Sequence, residues 1–353
     1  MAVTGRLLKT AKDLISIESV KSRPEKLKEC IAYAKKFFKG QNVRFQEFEF
    51  AEKPSIVVTA KRRKNAGLFF LIHLDVVEAE KRQFKPAVKK GMLFGRGSGD
   101  MKTNAAIAMH AFKETFANHS VGLIITTDEE IGGFNGAEKI AGKVKPEFVI
   151  GTEPTQNGVV VKEKGILLLK IKASGKAAHG SRPWLGENAI EKLMKDLQAI
   201  GKLFKKASAR NYWIPTMNIG KISGGDAANK VPDSAKALVD IRFTENFRKK
   251  EFLGKLKKLK IDFEILENEP LMETKKSNYF VQKLARIHSR NSGRKIHAIK
   301  ENGASDGRFF SARGIPTVML GIPCLSIHGS EESINVSEIQ KIYKTYREIA
   351  EQF

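Results

Sequence analysis

Seven side chains in this sequence have the chemistry to hold or use metal ions: His73, Asp75, Asp100, Glu129, Glu130, Glu153 and His328. Imidazole nitrogen and carboxylate oxygen are ordinary donors to zinc-like cations, and two neighbouring cations need one carboxylate between them. Asp100 suits the shared position. It follows Gly95-Arg96-Gly97-Ser98-Gly99, where alternating glycines let the backbone turn tightly, and a helical pattern from Thr103 to Phe116 comes directly after. A carboxylate at a helix N-terminus stays ionised and can offer both oxygens to a cation. A lone aspartate there more often only starts its helix. The run is not a phosphate loop, because Met101 stands where G-x-x-x-x-G-K-[ST] needs a glycine. The company Asp100 keeps decides between these readings. His73 with Glu153 can hold one cation, and Glu130 with His328 the other. Asp75, close after His73, can fix that imidazole's tautomer. Glu129 is spare and adjacent to a ligand, as a general base for a metal-activated water must be.

These residues can meet only if they sit at the ends of neighbouring elements. Residues 4–17 and 25–39 read as amphipathic helices, and 56–60 and 68–72 as strands, the second running straight into His73-Leu74-Asp75. Helix 103–116 is followed by strand 121–126, which ends in Asp128-Glu129-Glu130. A polar turn at 132–136 leads to a short helix, and strand 148–150 ends in Gly151-Thr152-Glu153-Pro154. Strands alternating with helices predict an α/β fold with a mostly parallel central sheet, whose ligand site lies at the carboxyl ends of its strands. His73, Glu129, Glu130 and Glu153 all fall at such ends.

From about residue 165 the texture changes. Strand 166–172, helix 187–204, strands 216–222 and 235–243, helix 247–259 and strand 261–266 follow the β-α-β-β-α-β order of a ferredoxin-like α+β module. Helix 277–291 and a buried strand at 316–320 come next, with His328 in the loop beyond and a closing helix at 338–351. The polar set is split around this insert. The expected domains are therefore 1–164 and 271–353 for a catalytic domain and 165–270 for the inserted one.

Composition limits the setting. A chain of 353 residues, 41% hydrophobic and with 22 phenylalanines, has material for two cores. Cys30 and Cys324 are too few for a disulfide framework, the N-terminal residues do not read as a signal peptide, and no apolar run is long enough to span a membrane. A cytoplasmic protein with no membrane partner is the expectation. The net charge of +24 is dominated by lysine and spread along the chain, without an RNP-type aromatic motif or a zinc finger. Its densest run, Lys61-Arg62-Arg63-Lys64, is most simply a solvated turn, so nucleic acid is not expected as a partner. A non-catalytic polyanion-binding protein on an old enzyme scaffold is the reading from another class, and the charge alone suggests it. His110, His119, His288 and His297 lie outside any motif and read as structural or surface residues, and Cys324 as a small buried thiol.

The segments His73-x-Asp75, Gly95-Arg96-Gly97-x-x-Asp100-Met101-Lys102, Asp128-Glu129-Glu130-x-Gly132-Gly133, Glu153-Pro154 and His328-x-x-x-Glu332 resemble the M20 family of metallopeptidases and deacylases. So do Ala178-His179-x-Ser181-x-Pro183 and Gly303-x-Ser305-Asp306-x-Arg308, and the matches run in order over nearly the whole chain. That family includes succinyl-diaminopimelate desuccinylase, acetylornithine deacetylase, carboxypeptidase G2-like enzymes, aminoacylases and dipeptidases. The resemblance implies a zinc-peptidase-like catalytic domain with two Zn2+ ions (Co2+ or Mn2+ as substitutes) and an inserted lid that forms a homodimer. It implies the ligands and base named above, and adds His179 as a stabiliser of the oxyanion. Asn229 and Arg242 match lid positions that contact substrate, and Ser305 and the turn around Gly303 match a substrate-facing segment. Arg242 suits a substrate carboxylate by bidentate pairing, or an acid of the lid instead.

Some residues depart from the family pattern: Ile72 and Glu78 around the first histidine, Thr103-Asn104 after the aspartate, and Glu331 near the last ligand. They touch substrate preference, since Glu78 and Glu331 can alter the charge near the metals. The expected function is hydrolysis of an N-acyl amide, succinyl- or acetyl-type, of an amino-acid-like substrate bearing a free carboxylate. An M20-type carboxypeptidase or dipeptidase is the alternative.

Overall fold

A computed structural model describes residues 3–156 and 158–353. The chain divides into two compact units: one runs to Lys162 and resumes over Met272–Glu301 and Ser305–Phe353, and the other is Glu163–Leu271 with Asn302–Ala304.

The first unit is built on a sheet of nine strands among the described residues. Its centre is parallel. Leu68–His73 lies between Val121–Thr126 and Phe148–Gly151, and Thr317–Met319 continues the block beyond Phe148–Gly151. Antiparallel strands flank this block, with the hairpin Val43–Phe50 and Lys53–Ala60 on one side and Val159–Glu163 on the other. The run Leu68-Phe69-Phe70-Leu71-Ile72 is buried on both faces, as a central parallel strand must be. Alternation sends Leu68, Phe70 and Ile72 into one apolar layer with the helices Val3–Ile15, Lys102–Thr115 and Ser337–Ala350. Phe69 and Leu71 go to the opposite layer with Ile140, Phe309 and Phe310. Each such large side chain contributes roughly 1.5–3 kcal/mol by its burial. Helix Lys102–Thr115 is buried nearly all round, and its alanines at 105, 106, 108 and 111 let neighbours approach closely. The closing helix packs Ile339, Ile342, Tyr346 and Ile349 inward, and the Tyr346 hydroxyl donates to the Leu320 carbonyl. That bond anchors the chain just before the loop carrying His328.

A small second sheet, Cys324–Leu325, Ser333–Asn335, Met92–Phe94 and Ala87–Lys89, joins the Gly95–Asp100 run to the His328 loop. Strands of two or three residues are too short to show a period, so this sheet is invisible to pattern reading. Val43–Phe50, Val159–Glu163 and Ala298–Glu301 add strands beyond those expected. Val43–Phe50 mixes polar with apolar residues because it is the edge of its sheet and only half-buried.

The second unit is one antiparallel sheet in the order Thr216–Gly224, Ser234–Phe243, Gly165–Ser174, Asp262–Glu269. Strict alternation in Gly165–Ser174 and Ser234–Phe243 buries one face. Helices Ala189–Gly201 and Lys249–Lys258 supply Leu193, Leu197, Phe252 and Leu256 to that core. The first of them starts at Asn188, whose side chain accepts from the N–H groups of Ile190 and Glu191. Among the described residues, no helix is long and apolar enough to cross a membrane.

Candidate metal centre

His73 is the last residue of strand Leu68–His73, and Glu153 lies just past Phe148–Gly151 on the neighbouring strand. Glu129 and Glu130 stand in a 3-10 turn after Val121–Thr126, and Asp100 lies immediately before helix Lys102–Thr115, across a cis Asp100–Met101 peptide. His328 comes from the loop between the two short strands Cys324–Leu325 and Ser333–Asn335. These residues converge. His73 Nε2 is 3.2 Å from Asp100 Oδ1 and 3.7 Å from Glu153 Oε2. His328 Nε2 is 3.2 Å from Asp100 Oδ2 and 3.4 Å from Glu130 Oε2. The donor atoms of His73, Asp100 and Glu153 lie within 4.8 Å of one another, and so do those of Asp100, Glu130 and His328. Asp100 belongs to both groups and turns a different oxygen to each.

Burial works against a charge on His73, but Glu153, Asp100 and Asp75 outweigh it and lift its pKa well above the ordinary value. Asp100, with Glu130, pushes His328 up to about 10. Burial opposes ionisation of Asp100, yet the two imidazoles hold its carboxyl well below the usual range. Glu129 goes the other way: burial first, then the negative charge of Glu153, raises its pKa strongly. With its pKa near 10, the His328 ring is protonated on both nitrogens at neutral pH until a dication displaces the Nε2 proton. Zinc binding at pH 7 should therefore release a proton from His328, and should tighten as pH rises towards about 10. Calorimetric titration in PIPES and in HEPES, which bind zinc weakly, would show this as a heat that follows the buffer's ionisation enthalpy. Equal heats in the two buffers would mean that the His328 ring is neutral beforehand.

The donor set fits a divalent pair. Glu130 Oε1 is buried with no hydrogen-bond partner among the described residues, which a cation beside it would satisfy. His73 Nδ1 faces the Asp75 carbonyl oxygen at 3.0 Å, so it carries a proton in either charge state and Nε2 is the nitrogen available to a cation. The tautomer is thus held first by the backbone of Asp75 and only at 3.4 Å by its carboxylate. The other carboxylate oxygen of Asp75 accepts from the Glu130 N–H at 3.0 Å, tying the two ligand loops together.

Several supporting residues carry no signal in the sequence that points to their partners. Arg96 and Glu332, 236 positions apart, form a buried ion pair. Asn104, which departs from the family's small pair, accepts from the Ile322 N–H at 3.0 Å and donates to the Gly99 carbonyl at 3.4 Å. Asp128 Oδ2 accepts from the N–H groups of Asn135 and Gly136 and so shapes the turn after Glu129 and Glu130. Gly133 in that turn has φ 67°, and a Cβ there would fall 1.8 Å from Asp306 Oδ1. Burial, with Asp128 nearby and Arg308 opposing, raises Asp306 to about 7. Of the other departures, Ile72 is fully buried in the core, Glu78 accepts from the Ser22 N–H at 3.3 Å, and Glu331 lies 3.6 Å from Arg82.

The remaining expected site residues are distributed between the units. Ser305 is buried in the first. His179, Asn229, Arg242 and Gly303 belong to the second. His179 is exposed and its Nδ1 lies 2.8 Å from Ser181 Oγ. Asn229 is exposed, and its carbonyl accepts from the Gly180 N–H at 2.7 Å. Arg242 Nε lies 3.1 Å from both carboxylate oxygens of Asp240, so an acid of its own unit engages it.

Known proteins resemble this chain over most of its length. Residues 69–352, which carry the whole donor set, match the model of peptidase family M20/M25/M40. The succinyl-diaminopimelate desuccinylase of Hahella chejuensis is 31% identical over 327 residues, covering 83% of this chain and 84% of that protein. Aminopeptidase PepT of Bacillus cereus has a similar fold, with a TM-score of 0.81 at 22% identity over 99% of this chain and 98% of its own. So has an M20 family metallo-carboxypeptidase of Sulfolobus solfataricus, with a TM-score of 0.80 at 19% identity over 98% of both chains. A family match over four-fifths of the chain, with donors gathered for a divalent metal, leaves one conclusion: the chain belongs to peptidase family M20/M25/M40, hydrolases of amide bonds that use divalent metal.

Proposed function

We propose that this protein is a dinuclear zinc amidohydrolase that removes a succinyl- or acetyl-type N-acyl group from an amino-acid-like substrate with a free carboxylate. The observation that carries the dinuclear reading is Asp100, whose Oδ1 and Oδ2 each lie 3.2 Å from a different imidazole nitrogen. His73, Asp100 and Glu153 would hold one ion, and Asp100, Glu130 and His328 the other, with Co2+ or Mn2+ as substitutes. When bound, the ions polarise the scissile carbonyl and make a water nucleophilic near neutral pH. The chain's own residues do the rest. Glu129 takes the proton of the attacking water and returns it to the leaving amine, so one carboxylate serves as base and then acid. Asp75 keeps the His73 proton on Nδ1. His179 is assigned to the oxyanion, Asn229, Gly303 and Ser305 to substrate contacts, and Arg242 to the substrate carboxylate. Those last assignments rest on motif position.

The acyl preference follows the 31% identity to a desuccinylase. A carboxypeptidase or dipeptidase is the second reading, favoured by the peptidases among the similar folds. We further propose a homodimer through the second unit, whose outer strand Thr216–Gly224 leaves Ile219 and Ile222 about half exposed. A cytoplasmic setting accords with two buried free thiols.

The discriminating experiment is a panel of N-succinyl and N-acetyl amino acids, dipeptides and tripeptides, assayed with added zinc. Release of the free amine from N-acyl substrates is the expected result. Peptide turnover without any deacylation would transfer the assignment to the second reading.

A further inference from the structure

His328 is held differently from the other donors. Its side chain is 48% exposed, against 1% for His73, so packing does little to aim it. Its backbone has φ 60°, and that of Ser326 φ 51°, in a region that a non-glycine residue keeps only where its surroundings over-determine it. Hydrogen bonds supply the constraint. Arg96 Nη2 donates to the His328 carbonyl at 2.7 Å, and Gln83 Nε2 donates to the Gly329 carbonyl at 3.0 Å. The same guanidinium pairs through Nη1 with Glu332, whose other oxygen accepts from the N–H groups of Gly99 at 2.9 Å and Asp100 at 3.2 Å. Arg96 and Glu332 are both buried, so water does not compete for these bonds. One side-chain pair therefore grips the backbone of both Asp100 and His328.

We propose that Arg96 and Glu332 are positioning residues, a clamp that sets the Asp100–His328 separation and thereby makes Asp100, Glu130 and His328 competent to hold a cation. This rests on the dinuclear reading and explains how its less buried half is held. Two of the three donors of the other half are set by the sheet instead, since His73 ends its strand and Glu153 follows the neighbouring one in the parallel block. An arginine is required, since its planar fork serves a carboxylate and a carbonyl at once, which a single ammonium does poorly.

The test is calorimetric titration of the full-length, chelator-stripped protein with Zn2+, comparing wild type with Arg96→Lys and the double variant Arg96→Met/Glu332→Gln. The lysine keeps a cation against Glu332, and the double variant removes both charges together, so neither leaves a lone buried ion. Circular dichroism and melting identify which variants fold, and a single folded one is decisive. Wild type should take up two equivalents. In the variants one equivalent should bind within about threefold of wild type and the other at least about tenfold more weakly. Two wild-type-like equivalents in a folded variant would overturn the clamp, and so would equal weakening of both. A wild-type chain that takes up fewer than two equivalents would overturn the dinuclear reading itself, and the clamp with it.

Discussion

Glu129→Gln should lower kcat by about two to four orders of magnitude while leaving zinc content at the wild-type level. The reasoning is local. Glu129 belongs to neither donor group, so removing its charge subtracts nothing from the ligand sets. Burial and the adjacent charge of Glu153 raise its pKa, which suits a carboxylate that must accept a proton and hold it through the next step. Glutamine has the same shape but no basic oxygen, so substrate should still bind and KM should change little. The charge removed is one that its surroundings disfavour, and the metal-free variant should melt no lower than wild type. Turnover by this variant within a few-fold of wild type would end the assignment of Glu129 as base. Loss of metal along with activity would recast it as a ligand.

Asp100→Asn should do what the first variant does not, and abolish metal uptake at both positions. Asp100 is the only donor common to the two groups, and its carboxyl is kept ionised against burial by His73 and His328. The amide offers one neutral oxygen, and its NH2 cannot bind a cation, so at best one position keeps a donor from residue 100. Melting temperature provides a readout independent of turnover. Zinc at a hundredfold excess over Kd should stabilise the wild-type chain by about 2.7 kcal/mol per site, and the variant by almost nothing. Its activity should fall below that of Glu129→Gln. A variant that still took up two equivalents would show that the cations are held separately.

The donor set was legible before any fold was known, because few residue types bind such cations and a parallel sheet gathers the ends of its strands. His73, Glu130 and Glu153 stand at or after buried apolar runs in the sequence, and the structure brings their donor atoms near those of Asp100 and His328. The resemblance to the family rested on the same segments. Less legible were the residues that hold the donors. The short strands around Met92–Phe94 and Ser333–Asn335 have no period to detect, yet they join the Asp100 run to the His328 loop.

Sequence alone determined which side chains could do the chemistry, since that depends on residue type and on distance from a strand end. Tertiary structure alone decided which oxygen of Asp100 faces which imidazole, and that the backbone carbonyl of Asp75 holds the proton on His73. It also decided that Arg96 reaches Glu332 across 236 positions. The physical reason is that a hydrogen bond between distant segments depends on how the chain closes on itself, and closure leaves no local pattern in composition or spacing.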